Sequence, residues 1–95
     1  MAWTWDARKD AANRRKHGLS FDTAQLAFED PFHLSQPDPE YDDRWQTLGT
    51  VGHVVLFVVH TEPVESPRSH ETVGRIISAR KATSRERRAY ETGNL

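Results

Sequence analysis

Val54-Val55-Leu56-Phe57-Val58-Val59-His60-Thr61 holds the longest apolar run in the chain, and the fold is read outward from it. Six apolar residues in succession leave no polar face, and four of them are valines, whose β-branched side chains suit a pleated strand better than a helix. A strand apolar on both faces belongs in the middle of a sheet, with helices over one face and a second layer over the other. Alternation makes Val58 and His60 its last face-mates.

Gly52-His53 precedes this run as a two-residue turn, and Arg44 to Val51, through Trp45, Thr47 and Leu48, reads as its hairpin partner. Beyond it, Glu62 to Glu71 is polar and punctuated by Pro63 and Pro67, so it reads as a long connection. Thr72 to Ala79 then resumes strand character through Val73, Ile76 and Ile77. Upstream, Gln36-Pro37-Asp38-Pro39 reads as a loop, with Phe32 to Leu34 as a short edge strand before it.

Three helices frame these strands. Trp3 and Trp5 alternate with Thr4 and Asp6 as a short strand would, and Asp6 is placed to cap a helix over Ala7 to His17 that Gly18 closes. The apolar side of that helix is thin, chiefly Ala7, Ala11 and Ala12, so it is expected to lie close against the sheet. Ser20 caps a second helix with Phe21, Ala24 and Phe28 on one side, stopped at Asp30-Pro31. Thr83-Ser84-Arg85-Glu86 is a capping-box pattern opening a final helix through Tyr90, before Gly93. The expected architecture is a single α+β domain over residues 1–95: a small antiparallel sheet of three to four strands, an N-terminal strand and αα-hairpin, and a C-terminal helix.

With 95 residues there is room for one core and no more. The absence of cysteine removes disulfides, thiolate metal sites and a cysteine nucleophile, and points to a reducing, cytoplasmic setting. No apolar signal core follows Met1, and the longest apolar run is far short of a membrane span, so no membrane association is expected.

The formal net charge is only −1, yet the charges are segregated. Ala7 to Ser20 carries Arg8, Lys9, Arg14, Arg15 and Lys16 against Asp10 alone. Asp22 to Asp43 carries Asp22, Glu29, Asp30, Asp38, Glu40, Asp42 and Asp43 with no lysine or arginine. Gly74 to Glu91 is basic again, through Arg75, Arg80, Lys81, Arg85, Arg87 and Arg88 against two glutamates. A face that meets a polyanion needs such segregation, although solvated helix faces also produce it.

His17, His33, His53, His60 and His70 never fall in the paired spacing of a zinc helix, and no glycine-rich phosphate loop or Gly-x-Ser-x-Gly elbow is present, so neither a metal nor a cofactor is expected. The remaining inventory suits RNA cleavage by the substrate's own 2′-hydroxyl, where the protein need only align the nucleophile and stabilise charge. The densest cationic cluster is Arg75-Ile76-Ile77-Ser78-Ala79-Arg80-Lys81-Ala82. In a flat strand Arg75 and Arg80 face opposite ways, and a bulge or strand end near Ala79 reconciles them. The alternative is that both arginines solvate the strand or pair with Glu62 and Glu71. Lys16-His17 ends a helix, where the dipole favours cations, which makes His17 a candidate proton donor or acceptor or simply part of the C-terminal cap. His60 reads as a second acid or base or, the favoured reading, as half-buried and bonded to backbone; Glu86 reads as a capping carboxylate, and Tyr90 as packing on the sheet or stacking on a base.

Several ordered segments carry a family likeness: Trp5, Lys9, Asn13, Lys16, His17 and Gly18 in the pattern Trp-x-x-x-Lys-x-x-x-Asn-x-x-Lys-His-Gly, then Ser20-Phe21. Phe28-Glu29-Asp30-Pro31, the strand from Arg44, the run ending His60-Thr61-Glu62, and Arg75 to Ala82 with Glu86 and Tyr90-Glu91 continue it over nearly the whole chain. Together they resemble the BrnT toxin family. The resemblance implies a RelE-like fold and a metal-independent ribonuclease that cleaves RNA and stops translation. It also implies a BrnA-like antitoxin that neutralises the toxin and alone contacts operator DNA.

Carried over by position, Arg75 and Arg80 would hold phosphate and stabilise the transition state, and His17 would be the acid or base. Lys16, Ser78 and Lys81 would bind RNA. Two features depart from the family pattern, the long connection from Pro63 to Thr72 and Gly74 just before Arg75. The residues alone also fit a non-catalytic nucleic-acid-binding module, or a protein-interaction domain that docks through the acidic Asp38 to Asp43 segment.

Overall fold

In the computed structural model, which describes residues 1–94, the apolar run forms the strand Val54–His60 at the centre of a mixed sheet. The strands are β1 (Ala2–Thr4), β2 (Leu34–Pro37), β3 (Trp45–Val51), β4 (Val54–His60), β5 (Val64–Glu65) and β6 (Thr72–Lys81). The helices are α1 (Ala7–His17), α2 (Phe21–Ala24), which runs on as a 3-10 segment over Gln25–Glu29, and α3 (Ser84–Thr92). The sheet order is β1-β6-β4-β3-β2, with β5 beside the start of β6.

The α+β class and the closing helix agree with expectation, and the sheet is larger than the expected three to four strands. It is not purely antiparallel, because β1 pairs in parallel with β6, Trp3 opposite Gly74. The edge strand expected at Phe32 to Leu34 lies at Leu34–Pro37, so Gln36 and Pro37 belong to a strand rather than a loop. Proline is tolerated there because β2 is an edge and needs no donor on its outer side. The short β5 falls inside the stretch read as a polar connection, next to Pro63.

Cross-strand partners share a face of the sheet. On one face Leu56, Val58 and His60 of β4 meet Ile76 and Ala79 of β6. Phe21, Ala24 and Ala27 cover them, completing the buried core. Gly49 of β3 is required here, since a Cβ would run into the Ala27 carbonyl.

α1 docks differently from the expected alanine contact: Ala7 and Ala12 are exposed, and Asn13 is its only buried residue. The Asn13 amide donates to the carbonyls of Ala79 (2.8 Å) and Leu19 (2.9 Å), and its oxygen accepts from the Ala79 N–H (3.1 Å). β1 pairs only with Val73 to Arg75, so the outer edge of β6 beyond it would otherwise lie unpaired under the helix. Caps close each helix as read, with Asp6 accepting from Arg8 and Lys9, Ser20 from Thr23, and Gly18 left-handed at φ 67°.

The opposite sheet face carries Thr50, Leu48 and Gln46 of β3 with Val55, Phe57 and Val59 of β4, and α3 lies across one end of it. Asp30 ties that helix down. Its carboxylate accepts from the Tyr90 hydroxyl, the Thr50 N–H and hydroxyl (both 2.8 Å) and the Phe32 N–H (2.9 Å). Burial pushes the Asp30 carboxyl up, but the hydrogen bonds from Tyr90, Thr50 and Phe32 outweigh it and hold the group far below the usual carboxylate range. The same contact pushes the Tyr90 hydroxyl above its ordinary value. Tyr90 is thus an anchor of α3.

Candidate active site

The cationic cluster sits on β6, and an irregularity in that strand decides where its side chains point. Val59 pairs with Ser78, but the next residue, His60, pairs with Ile76, which leaves Ile77 without a partner. That extra residue is a bulge, and it resets the alternation. Ile76 and Ala79, three positions apart, therefore both enter the core, and both are buried. Ser78 and Arg80 turn to the other face, beside Val59 and Phe57, and Arg75, one residue before the core-facing Ile76, stands on that face beside Thr4. The reconciling bulge is present, two residues before Ala79.

The backbone of Arg75 is fixed on both sides, by pairing with Thr4 and by hydrogen bonds with Thr61, whose hydroxyl accepts from the Arg75 N–H at 2.9 Å. Its side chain is exposed and makes no ion pair among the described residues. Arg80 is held instead. Its guanidinium stacks over the Phe57 ring at 4.2 Å and donates to both Glu86 oxygens, at 2.8 and 3.0 Å. The alternative pairing of Arg80 with Glu62 or Glu71 does not form; its partner is Glu86. Of its five N–H groups, those bonds and one to the Lys81 carbonyl occupy three, leaving the Nε–H and one Nη2 hydrogen. Glu86 also caps α3 by accepting from the Thr83 N–H at 2.8 Å. The Arg80 guanidinium holds the Glu86 carboxyl below its usual range.

The other residues singled out from the sequence lie elsewhere. Lys16 and His17 end α1 on the helix-covered face of the sheet, and His17 lines a cleft with Leu19, Leu56 and Lys81. The structure thus sets Arg75, Ser78 and Arg80 along one face of β6 and brings His17 to Lys81, but it does not bring His17 to the arginines. Lys81 connects the two groups: it also lines the neighbouring hollow with His53 and Arg87, towards the start of α3.

His60 is buried and structural, as the sequence reading favoured. Its Nδ1 lies 2.7 Å from the Thr61 carbonyl, which can only accept, so Nδ1 carries the hydrogen and Nε2 accepts from the Thr47 hydroxyl at 2.6 Å. Ser35 completes the chain by donating to Thr47 at 2.7 Å. Burial pushes the His60 imidazole below its ordinary value. Asn13 and Phe57 carry roles that residue type alone did not reveal, although Asn13 stood inside the quoted N-terminal pattern. Among the described residues no three histidine, aspartate or glutamate side chains gather as a metal-ligand set, and no helix is long and apolar enough to cross a membrane.

The family model described as the ribonuclease toxin BrnT of type II toxin–antitoxin systems matches residues 5–86. No curated protein sequence matches the chain. The family match takes in α1, the core strands, the bulged β6 and the Glu86 that holds Arg80. The chain belongs to the BrnT family, the ribonuclease toxins of type II toxin–antitoxin systems.

Proposed function

We propose that the face of β6 carrying Arg75, Ser78 and Arg80 binds the RNA backbone and cleaves it without a metal. The observation that carries this reading is the bulge at Ile77, which puts the exposed Arg75, the Ser78 hydroxyl and the clamped Arg80 on one face of one strand. In the proposed step the RNA 2′-oxygen attacks the adjacent phosphorus and the bond from phosphorus to the 5′-oxygen breaks. The products are a 2′,3′-cyclic phosphate and a 5′-hydroxyl, with the 2′-hydroxyl proton lost and one delivered to the leaving oxygen. Arg75 is the mobile phosphate ligand, and Arg80, fixed by Glu86 and Phe57, offers its remaining donors to the charge that develops on phosphorus.

Lys81 shares a cleft with His17, which Lys16 precedes at the end of α1, so in this reading these three hold the RNA strand beyond the scissile phosphate. His17 then acts as a contact at the tip of the helical layer rather than as acid or base at Arg75. The fold is RelE-like in this reading, the RNA target lies in the cytoplasm and its cleavage inhibits translation. The antitoxin that the family implies is BrnA-like and alone touches operator DNA.

Steady-state RNA cleavage by Arg75→Ala and Arg80→Ala, beside the exposed control Arg15→Ala, tests the assignment. Each face variant should lose about a hundredfold in kcat or more, the usual cost of removing a donor aimed at developing charge. Wild-type rates in both face variants would remove the proposed site.

A further inference from the structure

At the other end of the helix-covered face, beyond Phe28, the helical layer stops and leaves an aromatic groove of about 210 Å³. Trp3, Phe28 and Trp45 line it, with Pro63 and Glu62 at one side and His60 in its floor. The floor is rigid and apolar: Trp3 stacks on Phe28 at 3.9 Å, and both rings meet the edge of His60, at 5.1 and 4.8 Å. Both His60 nitrogens already have partners, so it offers a ligand no polar contact.

We propose that this groove docks a basic segment of the antitoxin, seating one bulky apolar side chain between Trp3 and Trp45 with lysines or arginines beside it. The inference rests on the toxin–antitoxin reading above for the existence of a protein partner. Size and charge choose the occupant. Pockets for whole small-molecule ligands span roughly 300–1,000 Å³, so this one suits a single side chain. Glu62 stands in the wall with Met1 and His33, and the loop from β2 to β3, which starts beside Trp45, carries Asp38, Glu40, Asp42 and Asp43, of which Asp38 bonds Gln46 on the other face. The Arg44 of that loop is folded over the Tyr41 ring at 4.3 Å. Glu62 and an acidic loop next to the groove disfavour a polyanion and favour a cationic peptide, which is the reverse of the arginine face. The groove also opens on the sheet face opposite Arg75, so a partner held here leaves a second segment free to reach round to the arginines.

Titration calorimetry of the full-length chain with its purified cognate antitoxin tests this, using Trp45→Ala and the exposed triple charge reversal Asp42→Lys/Asp43→Lys/Glu62→Lys. Circular dichroism checks the fold of each, and RNA cleavage by the free variants is measured in parallel. Affinity should fall about tenfold or more in both, and the deficit of the triple variant should shrink as salt rises. The triple variant decides the matter should Trp45→Ala fail to fold. A folded triple variant within about twofold of wild type overturns the proposal. So does self-association of the free chain that Trp45→Ala abolishes without changing antitoxin affinity, since a second copy would then fill the groove. A chain that shows the expected binding pattern but cleaves no RNA keeps the groove and removes the nuclease assignment.

Discussion

Replacing Asn13 by alanine removes the device that holds α1 to β6. Three hydrogen bonds go, and two of them leave the N–H and C=O of Ala79 without partners in a strand buried under the helix. The third acceptor, the Leu19 carbonyl, lies nearer solvent and can regain water. An orphaned buried group costs about 1–3 kcal/mol, so the two at Ala79 amount to about 3 kcal/mol in all. Because α1 buries almost no apolar surface, nothing else in the helix offsets that loss. At about 4–8 °C per kcal/mol for a chain of this size, the melting temperature should drop by roughly 12–24 °C. Urea titration and thermal melts followed by circular dichroism measure both quantities, with the exposed Arg15→Ala on the same helix as control, expected within about 0.5 kcal/mol of wild type. Asn13→Asp should fare no better, since its carboxylate can accept from the Ala79 N–H but would face two carbonyls. A loss below about 1 kcal/mol in Asn13→Ala would refute the claim that this amide, rather than apolar contact, seats the helix.

Gly74→Ala places a Cβ against the Trp3 ring, 2.9 Å from Cε3, and Trp3 cannot yield without leaving Phe28, so denaturant titration should show a loss of about 2 kcal/mol. Asp30→Asn weakens the anchor of α3 and should cost about 1–2 kcal/mol at pH 6. The folded-state carboxyl of Asp30 is depressed, so its stabilisation is complete above the unfolded value near 4 and is lost as pH falls towards the folded one. The gap between wild type and Asp30→Asn, read by denaturation from pH 6 to pH 2.5, should therefore close with acid; a constant gap would contradict the assignment. Lys81→Ala should lower RNA affinity and flatten the plot of log affinity against log salt by about 0.7, the share of one phosphate contact on a single strand, as fluorescence anisotropy would show.

The architecture was largely legible because the signals that set it are local. The valine-rich run forces a central strand, and Asp6, Gly18, Ser20 and Thr83 mark helix ends with hydrogen bonds to their own neighbours. The parallel pairing of β1 with β6 was not legible, because it depends on Gly74 making room for Trp3, residues that meet only after the chain has folded. Leu34–Pro37 read partly as loop because proline and glutamine carry no strand signal, and only the neighbouring β3 gives those residues partners. At the candidate site, the sequence showed the arginines and the need for a bulge or strand end near Ala79, but not that Ile77 would be the residue left over. The grouping of His17 with the arginines failed for a related reason. The order of residues in a motif does not say on which side of a sheet they stand, and α1 and the arginine face lie on opposite sides. The clamp on Arg80 went unread because Glu86 already had a capping role, and the structure gives it both.

In the proposed reaction the arginine face of β6 cleaves RNA through the substrate's own 2′-hydroxyl. The measurement that meets it most directly is incubation of the purified chain with single-stranded RNA in excess EDTA, with chemical analysis of the product ends. Cleavage should persist in EDTA, leave 2′,3′-cyclic phosphate and 5′-hydroxyl ends, and be lost in Arg75→Ala. Cleavage that EDTA abolishes, or products ending in 5′-phosphate, would contradict the proposed reaction.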